Sequence, residues 1–316
     1  MKIAVVVPSY RVRERIGGVL AAIGPEVSRI YVVDDACPEK TGDHVAASVS
    51  DARVTVVRNA TNLGVGGAVK AGFRAALADG ADVIVKLDGD GQMDPALIPA
   101  LVRPIVEERA DYTKGNRFFE LEDLAAMPNI RLFGNAMLSL VNKASSGYWD
   151  VMDPTNGFVA IHGRVAARLP LDKIADDYFF ESDMLFRLGT LRAVVLDMPM
   201  VARYDGAPSS LRIGSVALRF PLRYLGRCVK RGFYNYFLRD FNAGTVQIVL
   251  ALLLLAGGGG FGLWHWYESI RTGIPATSGT VMLAALPVLF AGHLLISAIN
   301  FDIANVPRRP LHPHLS

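Results

Sequence analysis

Residues 85–95 read VKLDGDGQMDP. The residues before and into it, Val83-Ile84-Val85, form an apolar β-branched run, the composition of a strand covered on both faces. It passes through Lys86-Leu87 into Asp88-Gly89-Asp90-Gly91-Gln92. Alternate residues of an extended chain share a side, so carboxylates at i and i+2 can approach one hard cation, with Gln92 adding a neutral oxygen. Magnesium and manganese favour oxygen ligands and fill the rest of their shell with water and substrate phosphates. The glycines let the backbone turn close to a ligand. A solvated acidic turn would carry similar letters. A calcium EF-hand would not, because the sixth position from Asp88 is Met93 instead of glycine and the twelfth is Pro99 instead of glutamate.

Outward from this stretch the chain alternates two periodicities. Segments 3–7, 30–33, 54–57 and 83–87 read as strands, and a further short one is expected over 110–113. Segments 14–23, 44–49, 67–77 and 96–108 have helical spacing. Strands alternating with helices imply an α/β fold with a mostly parallel sheet covered on both faces. Ligands of such sheets bind beyond the carboxyl ends of the strands. Pro8-Ser9-Tyr10, Asp34-Asp35 and Asp88–Gln92 all fall at such ends, which makes them one candidate site. Asp35 closes a buried strand, where a carboxylate needs a partner: a sugar hydroxyl, a base N–H or a turn. The run NLGVGG (62–67) follows the third strand and lacks full GxGxxG spacing, so it is no dinucleotide fingerprint. Asn62 and Lys70 are either nucleotide contacts or, more simply, a cap and a solvated lysine.

The remainder of the 316 residues has another character. Apolar residues make up 51% and mean hydropathy is +0.30. From 243 to 267, and again from 274 to 301, no Asp, Glu, Lys or Arg occurs. Each stretch exceeds the roughly 20 residues a membrane-crossing helix needs. Upstream, eight basic residues from Arg203 to Arg239 face the single acid Asp205. Positive flanks mark the cytoplasmic side, so both hairpin ends are expected there, at the cell (inner) membrane. Segment 211–237 reads as one or two amphipathic helices against an anionic membrane surface; a nucleic acid partner is not expected. Met1-Lys2 leads straight into a strand, so no cleaved leader is expected. Two distant cysteines suggest a reducing compartment. Arg117, Arg131 and Arg203 are candidate phosphate forks.

Together, VVVPSY (5–10), VVDDA (32–36), NLGVGGAVKAG (62–72), LDGDGQMDP (87–95), KGNRF (114–118) and DPTNGFVAI (153–161) resemble family 2 glycosyltransferases of the GT-A fold. The closer resemblance is to polyprenyl-phosphate glycosyltransferases, the group of dolichol-phosphate mannose synthase. It covers roughly residues 1–210, and the hairpin beyond is similar to that of membrane-anchored members. The resemblance implies a catalytic GT-A domain over 1–205, juxtamembrane helices over 206–241, two spans within 242–302 and a cytoplasmic tail over 303–316. It implies nucleotide-sugar contacts at Pro8, Tyr10, Val33, Asp35, Asp88, Gly89, Asp90 and Arg203. Mg2+ or Mn2+ would be gathered by Asp88, Asp90 and Gln92, with Asp90 and Gln92 the direct ligands and Asp88 alternatively on ribose or a metal-bound water. Asp90, Arg117, Arg131 and Asp153 are the expected catalytic set, Asp153 being either structural or an orienting group. The implied activity is inverting transfer of a sugar, of the GDP-mannose or UDP-glucose type, to a polyprenyl phosphate; a homo-oligomer is compatible. A polysaccharide or glycolipid acceptor, or a silent nucleotide-sugar binder, are the alternatives. Two departures stand out: Arg11-Val12 replaces the family's Asn-Glu, and no Ser-Lys follows Gly206, leaving Arg212 as a substitute.

Overall fold

The computed structural model describes residues 1–119, 129–200 and 213–316. They fall into two compact units, Met1–Cys228 with Pro307–Ser316, and Val229–Val306.

The first unit is built on a seven-stranded sheet of β1 (Ile3–Ser9), β2 (Val27–Asp34), β3 (Val54–Arg58), β4 (Val83–Lys86), β5 (Tyr112–Asn116), β6 (Val159–His162) and β7 (Val195–Pro199). The spatial order is β3-β2-β1-β4-β6-β5-β7. Strands β1 to β4 are parallel, β6 runs antiparallel to both neighbours, and β5 pairs parallel with β7. The β-branched runs make β1 and β4 almost wholly buried, as strands covered on both faces must be. Helices α1 (Arg13–Ala21), α2 (Thr41–Ser48), α3 (Val65–Ala78) and α4 (Ile98–Val106) follow the first four strands in turn. Val5, Val7, Ile16, Val32, Val85, Leu101 and Phe158 belong to one hydrophobic core. At Gly72 an added Cβ would overlap Val6, so this glycine lets α3 lie directly on the sheet.

The fifth strand extends further than its apolar letters. Thr113, Lys114 and Asn116 are all buried, and the Lys114 ammonium donates to the Asn156 carbonyl. A lysine that ends the apolar pattern therefore does not end the strand. Downstream come α5 (Asn129–Ser146), α6 (Gly163–Arg168) and α7 (Phe180–Leu191). Helix α8 (Ile213–Phe233) is the amphipathic segment. Two of its basic side chains face protein carboxylates: Arg223 pairs with Asp177 at 2.7 Å and Arg227 with Asp183 at 2.8 Å. Its exposed apolar residues Leu222 and Leu225 point elsewhere. The helix thus spends part of its charge on the unit's own acids, where sequence suggested lipid headgroups.

The segment 307–316 belongs to this unit. Fully buried Asp111 accepts from Leu311 N and His312 N at 2.9 Å and lies 2.8 Å from His312 Nδ1. The His312 ring stacks on His162 with centroids 4.2 Å apart. Burial, with His312 and Arg164 nearby, pushes the His162 imidazole down to about 4. The compact division therefore runs at 228/229 and 306/307.

The second unit is a helical hairpin, α9 (Ala243–Thr272) and α10 (Ser278–Ala304). Both are long and apolar enough to cross a membrane, and each buries only 11% of its most apolar window within the protein. A soluble core helix would bury most of it; here the outward Leu252, Leu253, Leu263, Leu289 and Phe290 need another apolar medium. Small residues let the helices meet: a Cβ on Gly258 would lie 2.7 Å from Pro287. Arg231 closes the open end of the hairpin with a two-pronged pair to Asp302, both contacts at 2.8 Å.

Candidate active site

The strand ends converge as the sequence suggested. Pro8 is paired with Val33, and Val6 with Lys86. Continuing that register two residues past Lys86 sets Pro8 between Val33 and Asp88. Antiparallel β6 brings its beginning to the same edge, where Lys86 pairs with Val159. The DPTNGF stretch thereby reaches the acidic turn. A Cβ on Gly157 would overlap Lys86 Nζ and come 2.9 Å from Asp88 Oδ2, so only glycine permits this approach.

The carboxylates differ in what they hold. Asp34 caps the following turn and helix, accepting from Cys37 N at 2.7 Å and Gly42 N at 2.6 Å. Asp35, 3% exposed, accepts from Asn59 Nδ2 at 2.7 Å, Leu63 N at 2.9 Å and Gly64 N at 2.8 Å. The partner a buried Asp35 required is thus first of all the NLG loop. Gly64 sits there with φ of +85°, the left-handed region that favours glycine. Lys70 is 5% exposed, with Nζ 2.8 Å from the Ile174 carbonyl and 2.5 Å from Asp176. It is neither solvated nor free for a nucleotide, which corrects both sequence readings of that residue.

At the acidic turn, Asp88 Oδ1 lies 2.9 Å from Lys86 Nζ, and the same ammonium lies 3.4 Å from Glu181 Oε1 in the first turn of α7. Lys86 is 1% exposed, yet its ammonium is held above the usual lysine range: burial opposes the charge, and Asp88 and Glu181 outweigh it. Asp90 Oδ1 accepts from Gln92 N at 3.0 Å. Burial, with Asp88 nearby, holds its carboxyl above the usual range, the mark of a carboxylate short of positive partners. Gly91, with φ of +78°, makes the turn. Among the described residues no cluster of three or more His, Cys, Asp or Glu forms an all-protein metal cage. Asp90, Gln92 and the outer oxygen of Asp88 nonetheless fit a hard cation that keeps most of its shell for water and phosphate.

Arg117 and Asp153 form one element rather than two separate contacts. Arg117 Nε donates to Asp153 Oδ2 at 2.7 Å and Nη2 to Oδ1 at 2.9 Å. Asp153 is fully buried, and the Arg117 hydrogen bonds outweigh burial and hold its carboxyl below the ordinary range. Burial lowers the neighbouring Lys114 to about 8 although Asp153, Glu181 and Asp197 oppose the shift. Asp197, which accepts from Met152 N at 2.8 Å, is raised by burial to about 6. Tyr10 is 42% exposed at the rim. Gly89 packs against Val12 and Val7. Arg131 stands in the first turn of α5, with its side chain outside the description, and Arg203 lies outside the described residues. Lys86, Glu181, Lys114 and Asn156 were not singled out by sequence. The only signal was a lysine interrupting an otherwise apolar strand.

Residues 4–169 match the glycosyl transferase family 2 profile. The chain belongs to glycosyl transferase family 2. It is 31% identical over 204 residues to an undecaprenyl-phosphate mannosyltransferase of Micrococcus luteus, covering 63% of this chain and 83% of that one. A dolichol-phosphate mannosyltransferase of Pyrococcus furiosus is 29% identical over 179 residues, covering 55% of this chain and 50% of that protein. Among solved structures, glucosyl-3-phosphoglycerate synthase of Mycobacterium tuberculosis, in complex with Mn2+, UDP and glucosyl-3-phosphoglycerate, superposes with a TM-score of 0.54 at 21% identity, covering 72% of this chain and 80% of that one. That likeness shows the fold.

Proposed function

We propose that this protein transfers a sugar from a nucleotide diphosphate to the phosphate of a polyprenyl lipid at a membrane surface. The observation that carries the reading is one chain holding both an acidic turn with an under-partnered, half-buried Asp90 and a hairpin whose apolar faces the protein leaves uncovered. The names of the similar mannosyltransferases support a lipid-phosphate acceptor. The donor is a nucleotide sugar of the GDP-mannose or UDP-glucose type.

Asp90 and Gln92, with Asp88, would hold Mg2+ or Mn2+; when bound, such an ion offsets the charge that develops on a departing diphosphate. The chain's own residues do the rest. Pro8, Val33 and Asp35 line the nucleotide end of the crevice, with Tyr10 at its rim. A lipid phosphate is already anionic near neutral pH, so it needs orientation more than a base. Arg131 and Arg203 are assigned to that task. Arg117 reaches the acceptor from a fixed position, because the Asp153 pair sets its plane while its side chain remains 24% exposed. In-line attack inverts the anomeric carbon.

The chain leaves its first unit at Cys228 and rejoins it at Pro307. Two spans, out and back, would return it to the side it left, and the basic residues upstream of the first span support the cytoplasmic side for it. The test is incubation of the purified full chain in detergent with labelled GDP-mannose or UDP-glucose, polyprenyl phosphate and Mg2+. Label extracted into lipid-linked sugar is the expected result. Label only in free sugar or polysaccharide would refute the acceptor assignment.

A further inference from the structure

The Lys86 ammonium is the one feature of the donor site that neither a strand nor a simple acidic turn requires. Burying a lysine costs several kcal/mol unless it is well paired. Here it is 1% exposed and reaches two carboxylates, Asp88 at 2.9 Å and, 95 positions along the chain from Lys86, Glu181 at 3.4 Å. Gly157 lies beside both Nζ and Asp88 Oδ2, where an added Cβ would meet them. Formal charges of the trio sum to −1, and Asp90 beside it makes −2.

We propose that Lys86 is a resident countercation of the donor site: a positioning residue that locks Asp88 to Glu181 and keeps the empty site's affinity for free divalent cations low. This rests on the metal assignment under the proposed function and deepens it. A divalent ion on the Lys86-facing oxygen of Asp88 would sit against an ammonium it cannot displace, and like charges at such range repel strongly inside a protein. The cation would be left Asp90, Gln92 and the outer oxygen of Asp88, ligands that would hold it weakly until donor phosphates complete the shell. The metal then binds together with the donor. Glu181 gains a place at the site without touching the cation: it fixes the second side of the ammonium from the start of α7.

The test is a Mn2+ titration of the full chain in detergent, without nucleotide, followed by electron paramagnetic resonance of the free ion. Lys86→Gln releases Asp88 and removes one positive charge; Mn2+ binding is expected to tighten about tenfold or more, a gain that a merely structural lysine would not produce. Lys86→Met, which fills much the same space without charge, is expected to tighten Mn2+ binding likewise. Unchanged or weaker binding in a folded Lys86→Gln protein would overturn the proposal. So would unchanged or weaker binding in Lys86→Met, which decides alone if the glutamine variant does not fold. Asp90→Asn separates the two layers. Retained Mn2+ binding there removes the metal assignment and the clamp with it. Lost binding, with no gain in Lys86→Gln, removes only the clamp.

Discussion

Asp35 and Asp153 on one side, and Asp88 and Asp90 on the other, are four acids at the same edge of one sheet, yet they do different work. The first two are saturated by the protein. Asp35 holds three donors of the 59–64 loop, and Asp153 accepts from Nε and Nη2 of Arg117. The second two are short of donors: Asp90 has one backbone N–H, and Asp88 shares an ammonium with Glu181. A buried carboxylate with its lone pairs filled is a fastener; one left short is a site for a cation. Letters and spacing treat these acids alike, and the donors around them do not.

That contrast breaks most decisively at Asp90. Asp90→Asn should reduce sugar transfer on the order of a thousandfold while shifting Tm little, because removing a strained charge costs the fold nothing. Transfer within tenfold of the parent would erase the distinction. Asp153→Ala should do the reverse, costing roughly 3 kcal/mol in denaturant unfolding by stranding Arg117. Activity should fall less than in the Asp90 variant under conditions where the protein stays folded. Asp35→Ala should cost about 2 kcal/mol, with amide exchange quickening first over 59–64.

A smaller effect sharpens the comparison at the far end of the sheet, where Asp111 fastens the returning C-terminal segment. His162 has a folded-state value of about 4 against 6.5 when unperturbed, so the unfolded chain binds the extra proton between those values. Stability is therefore unaffected above pH 6.5 and falls as pH drops from 6.5 to 4, by about 3 kcal/mol. Urea midpoints over that range should show the slope, and His162→Phe, which keeps a ring against His312, should flatten it.

The parallel half of the sheet was legible because its strands are continuous β-branched runs, each followed by a helical repeat. The antiparallel strand at 159–162 and the strand at 195–199 are short, and nothing local distinguishes them from loop. The site was legible where motif residues stand at strand ends. It was illegible where a partner comes from far along the chain: Glu181 to Lys86, Asp153 to Arg117, Ile174 to Lys70. Within the basic helix, the pairing of Arg223 with Asp177 and Arg227 with Asp183 is likewise a long-range match that the local letters do not carry.

Sequence alone determined the α/β class, the acidic turn and the two-helix hairpin, because periodicity, glycine placement and uninterrupted apolar length act locally and leave their mark in adjacent letters. Only the tertiary structure decided which acids are fasteners, that Lys86 is interior, and that residues 307–316 return to the sheet. Those outcomes depend on which hydrogen-bond donors meet which carboxylates across scores of residues, and burial is what makes each such meeting obligatory.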